Sequence, residues 1–185
     1  MGGLLLAWWP GALFAQPQTL KPMPAASSSV ASAPVVLPSS GMRAYALRLR
    51  PGQDLRQQIQ AFVEQRRVPA GAVLTCVGSL TQATLRLANQ DGPTVYRGHF
   101  EIVSLVGTLS VHGSHLHLAV ADSTGRTLGG HLLDGNTVYT TAELVLGVFE
   151  DLEFRREPDP TFGYRELTVE PAAPPVSVPQ KPRRR

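Results

Sequence analysis

All five histidines of the chain fall between His99 and His131, and three of them have a spacing that suits metal chemistry. His115-Leu116-His117 sets two imidazoles two residues apart. In an extended strand such residues point to the same face, while Leu116 points to the other. Gly129-Gly130-His131 follows after a turn signal at Ser123-Thr124-Gly125. A hairpin folded there pairs positions summing to about 248, which puts His117 opposite His131 with Cβ atoms about 4.5–5.5 Å apart. Imidazole suits zinc and other borderline divalent metals. Three His with an open fourth position is the ligand set of a catalytic or exchangeable zinc site. The spacing therefore predicts one divalent metal, zinc by preference, on His115, His117 and His131, with His117 between the other two. A His-x-His pair alone is common in strands without metal; the third imidazole across the hairpin gives the pattern its weight. Gly129 and Gly130 would allow a close backbone approach or a bulge that aims His131. Glu143 is a candidate partner for a ligand, or a general base, against the plainer reading of a salt-bridged edge residue. His99 and His112 read as loop or strand-end residues without a role.

These side chains need a rigid frame, and the pattern around them supplies one. Arg43 to Leu49 alternates with period two, as a strand does. Pro51-Gly52 turns the chain. Asp54 with Gln57 three residues later has the form of a helix N-cap, and Leu55, Ile59, Phe62 and Val63 then follow at helical spacing until Pro69 and Gly71 end the helix. Short strands are expected over 72–77 and 82–87, a turn over 89–93, and strands over 99–111, 115–121 and 128–133, with Gly107 as a bulge candidate. Residues 138–154 fit either period; Thr137-Val138-Tyr139-Thr140-Thr141 at the entrance favours a strand. One early helix and several short strands make an α+β domain with a mostly antiparallel sheet.

Composition divides the chain into a core at 42–170 and two flanks. Residues 1–41 and 171–185 are rich in Pro, Ala and Ser or Pro, and they read as disordered linker and tail. Within the first, residues 4–15 form an apolar run of signal-peptide length, too short to span a bilayer. A cut after Ala15 would fit export, whereas the lack of a preceding Lys or Arg and the bulk of Leu13 tip the reading toward the cytoplasm. The core holds 12 Arg and no Lys against 14 Asp and Glu, so 12 − 14 = −2, while Lys181, Arg183, Arg184 and Arg185 make the end of the chain +4. The core thus has no net drive toward phosphates, although a local basic patch is left open. Cys76, alone in the chain, excludes an internal disulfide and reads as a small buried hydrophobe. No phosphate loop, dinucleotide fingerprint or serine nucleophile elbow is present.

Four ordered segments carry a family resemblance. They are Phe100-Glu101-Ile102-Val103-Ser104-Leu105-Val106-Gly107-Thr108-Leu109, His115-Leu116-His117-Leu118-Ala119-Val120-Ala121-Asp122, Gly129-Gly130-His131-Leu132-Leu133 and Val138-Tyr139-Thr140-Thr141-Ala142-Glu143. Together they resemble the PPC (plant-and-prokaryote-conserved) domain of bacterial type, whose members are often labelled DNA-binding. The resemblance implies an antiparallel sheet flanked by helices, a homotrimer, and metal ligands at His115, His117 and His131. Plant relatives contact DNA through AT-hooks, and Lys-Pro-Arg-Arg-Arg at the end of this chain lacks that motif's Arg-Gly-Arg-Pro core. The leading expectation is a trimeric, metal-binding module for a small ligand or protein partner. The alternatives are a DNA-associated regulatory protein and a metal-dependent enzyme.

Overall fold

The computed structural model describes residues 37–161 and 163–173. The signal-peptide reading, most of the leading linker and the basic tail lie outside them. Among the described residues, no helix is long and apolar enough to cross a membrane.

The chain begins with β1 (Met42–Leu49), and α1 (Leu55–Arg66) follows. The cap forms as its sequence dictates: the Asp54 carboxylate accepts from the Gln57 N–H at 2.9 Å. Leu55, Ile59 and Val63 go fully into the core, and Arg67 adopts a left-handed conformation that ends the helix. The second Asp54 oxygen accepts from Gly135 N–H at 2.6 Å and Asn136 N–H at 2.9 Å, tying the helix start to the turn before β6. It is the one helix among the described residues, so the sheet is not flanked by helices in the plural; one face of it instead takes up this single helix.

β2 (Gly71–Arg86) is one strand of sixteen residues rather than two short ones. Bulges against β6 at Val73/Thr75, Gly78/Leu80 and Leu80/Gln82 break its period-two alternation, which is why the sequence reads as two pieces. β3 (Thr94–Leu109) begins five residues ahead of the expected strand. β4 (His115–Ala121), β5 (Thr127–Leu132) and β6 (Thr137–Phe149) complete a sheet in the order β1-β6-β2-β3-β4-β5. β6 settles the helix-or-strand ambiguity as strand, but it ends at Phe149, so the single strand expected over 138–154 is broken there. β5 also pairs with the end of β2, through Leu85↔Leu132 and Arg86↔His131. Strands β2 to β5 therefore close on themselves by a seam of two residue pairs.

The seam is locked from inside by Asn136, which is fully buried. Its side-chain oxygen accepts from Thr84 N–H at 3.1 Å, and its amide donates to the carbonyls of Thr84 at 2.9 Å and Leu133 at 2.6 Å. It completes backbone hydrogen bonding that the short β5 leaves unfinished. The core behind it gathers Leu80, Leu85, Leu109, Leu118, Val120, Leu144 and Leu146 with the helix face. Cys76 is buried there, and desolvation pushes its thiol up to about 12.

Two further strands, β7 (Leu152–Pro158) and β8 (Arg165–Pro171), form a separate antiparallel pair. Leu152 and Phe154 pack on Ala70 as a small second core. The Ser110 hydroxyl donates to the Phe154 carbonyl at 2.7 Å. The pair thereby stands beside the start of β4.

Candidate metal centre

His115 and His117 project from one face of β4, and His117 is the cross-strand partner of His131 on β5. The register Ala121↔Thr127 to His117↔His131 runs without a bulge. The two glycines before His131 thus serve close approach only. A Cβ at Gly130 would lie 2.6 Å from the Arg86 carbonyl oxygen of β2, so only a glycine lets β5 reach the seam. Gly107 serves the other side of β4. It pairs with Leu116 at φ +145°, and a Cβ there would run into the His115 carbonyl oxygen.

Three ring nitrogens meet at the resulting patch. His115 Nε2 lies 3.1 Å from His131 Nδ1 and 3.1 Å from His117 Nε2, and His117 Nε2 lies 3.2 Å from His131 Nδ1. The triangle is close to equilateral, so His117 is not central as its sequence position suggests. The His115 and His131 rings are stacked, 12° apart, and His117 stands edge-on to both at 78° and 80°. As hydrogen bonds this triangle is poor: each ring nitrogen offers one in-plane site, either N–H or lone pair, and three of them cannot all be satisfied mutually. As a ligand set it fits. Zinc–nitrogen bonds of about 2.0–2.1 Å at tetrahedral angles set neighbouring nitrogens about 3.3 Å apart. Among the described residues, His115, His117 and His131 form the group of candidate ligands able to hold an ion.

The surroundings favour the neutral, ligating form. Partial burial, then Arg86 and the other two rings, lower the His131 imidazolium to about 4. Burial and Arg156 lower His115 as well, with Glu166 opposing. These neighbours were not legible in the sequence. Arg86 arrives from the end of β2 and Arg156 and Glu166 from the β7–β8 pair, and no motif links them. Glu143 takes no part. It sits on β6 opposite Arg48 of β1 and Val77 of β2, lining a separate shallow pocket. His99, on β3, meets the Tyr139 ring of β6 at a 41° tilt with centroids 4.4 Å apart, and His112 pairs with Glu153 at 3.0 Å.

Residues 37–150 match the family model of the Plants and Prokaryotes Conserved (PCC) domain. The chain belongs to this family. Its PCC domain is similar to a hypothetical protein from Salmonella enterica, with 47% identity and a TM-score of 0.72 over 74% of this chain and 99% of that one. A metal-containing protein from Archaeoglobus fulgidus shares the fold at 24% identity and a TM-score of 0.62, over 70% of this chain and 95% of that one. Among curated proteins, the bifunctional protein GlmU of Synechococcus sp. (strain JA-3-3Ab) is 49% identical over 157 residues, which is 85% of this chain. The chain spans about a quarter of the length of that relative.

Proposed function

We propose that this PCC domain is a metal-binding module in which His115, His117 and His131 hold one divalent ion, zinc first, and that the metal-bearing face binds a small ligand or partner. The observation that carries this reading is the triangle of ring nitrogens at 3.1–3.2 Å. The metal-containing Archaeoglobus protein with the same fold supports it. Three protein ligands leave a fourth position open, where a bound ion would act as a Lewis acid toward an incoming donor atom. Glu143, the general base the sequence offers, is remote from the histidines, which favours a binding role over catalysis. Self-association as a homotrimer belongs to the same reading. It is supported by exposed Leu74 and Val77 on β2, Val103 and Val106 on β3 and Tyr139 on β6, an apolar set on neighbouring strands of one sheet.

The test is elemental analysis and zinc titration of the full chain after chelation and dialysis. One zinc per chain is expected, and none in the triple variant His115→Ala, His117→Ala, His131→Ala. Stoichiometric metal retained by the triple variant would sink the assignment.

A further inference from the structure

Beside the three histidines lies a cleft of about 640 Å³, between the first turns of α1, the β2–β5 seam and the β7–β8 pair. Four arginines line it, Arg56, Arg86, Arg156 and Arg165, against one acid, Glu166. Two of the four are already engaged. Arg56 pairs with Asp134, and Arg165 donates twice to the Arg156 carbonyl, at 3.1 and 2.9 Å. Arg156 uses one nitrogen on the Thr108 hydroxyl at 2.8 Å and keeps the rest of its fork. The Arg86 guanidinium has no hydrogen-bond or ion-pair partner among the described residues. Both Arg86 and Arg156 are half-buried. A guanidinium drawn partly out of water is costly unless it is paired, and five N–H donors in a fixed fork match a carboxylate or a phosphate. Ile59, Leu116 and Leu132 add apolar surface to the same walls. A volume of this size accommodates a small organic molecule.

We propose that this cleft binds a small organic oxyanion, a carboxylate or phosphate group on an apolar body, with Arg86 and Arg156 receiving the charged group beside the histidines. The inference goes beyond the metal reading and does not need it. The net charge of −2 over residues 42–170 conceals the site, because the fold gathers arginines that are scattered in the chain.

The experiment uses the full chain, metal-free and zinc-loaded, with zinc content measured first. Calorimetric titrations with phenyl phosphate, benzoate and the neutral benzamide separate the two head groups from the shared ring. One or both anions are expected to bind the metal-free protein about tenfold or more tighter than benzamide, the worth of a charge-assisted pair. Arg86→Gln should weaken that binding about tenfold, and Arg126→Gln, which removes an equal charge at the exposed β4–β5 turn, should change it less than about twofold. Should Arg86→Gln fail to fold, Arg156→Gln carries the same expectation. Equal binding of benzamide, absence of anion binding in both forms, or indifference to both cleft variants would overturn the proposal. Anion binding that depends on Arg86 in a protein that takes up no zinc would leave the cleft standing and remove the metal reading. Zinc uptake without anion binding would do the reverse.

Discussion

Arg86 and His131 are direct partners across the seam that closes β2 on β5, and His131 is at once the partner of His117 across β4 and β5. One residue therefore joins a cation to the cluster of imidazoles. The proximity helps to hold His131 unprotonated, which is the state a metal requires.

The near-equal sides of the nitrogen triangle would make the three histidines equivalent as ligands of the proposed ion. Each single His→Ala variant should lose zinc affinity by at least about a hundredfold, with no one of them standing out. His99→Ala and His112→Ala should leave affinity unchanged. Competition titrations against a chromophoric chelator measure this; a much smaller loss at one of the three would show that it is not a ligand.

Acid should weaken the metal-free fold through His131. Its folded pKa is depressed to about 4, whereas an unfolded histidine titrates near 6.5. Below 6.5 the unfolded chain takes up a proton that the folded chain refuses, so stability contributed by the neutral ring is lost as pH falls from about 6.5 to about 4 and changes little below that. His115 is shifted in the same direction. Denaturant melts of wild type and His131→Gln at pH 7, 5.5 and 4 isolate the contribution. A gap between the two proteins that stays constant with pH would count against it.

Asn136→Ala should destabilise the domain by about 3 kcal/mol, because it removes three buried hydrogen bonds and takes from the Thr84 N–H its side-chain acceptor, while the Thr84 carbonyl keeps the Leu133 N–H. The readout is a urea midpoint at unchanged slope. A loss below about 1 kcal/mol would mean that water replaces the side chain.

Nucleic-acid affinity, where measured, should reside in the last fifteen residues. Residues 42–170 carry −2, while Lys181, Arg183, Arg184 and Arg185 supply +4. Full-length protein and a chain ending at Glu170 are compared on duplex DNA across salt. Retention of a steep salt slope by the shorter chain would place the contacts in the domain.

Trimerisation should appear in sedimentation equilibrium at micromolar concentration. Val77→Glu with Val103→Glu, charging two exposed apolar positions, should shift the mass toward monomer while the melting profile of the chain stays cooperative. A wild-type monomer would refute it.

The histidine geometry was legible in the sequence because it depends on local rules: alternation within β4, a short turn, and a register counted across it. The helix was equally plain from Asp54 and the spacing of Leu55, Ile59 and Val63. The continuity of β2 was hidden by its bulges, each of which slips the apolar pattern by a residue. Nothing local signalled that β2 returns to β5, nor that β7 and β8 stand beside the histidines. Arg86, Arg156 and Glu166 are therefore site neighbours that only the tertiary closure reveals. For the same reason Glu143 looked plausible in sequence and proves distant.

Gly130 has no side chain to offer any ligand, yet the Arg86 carbonyl leaves no space at its α-carbon for even a methyl group. In a library of single substitutions scored for folding, this position should admit almost nothing, whereas His131 beside it should accept many replacements and fail only when metal uptake is scored. The two neighbours would then separate under selection. One constrains the architecture and the other the chemistry, and a record of tolerated residues would distinguish them without any knowledge of the ligand.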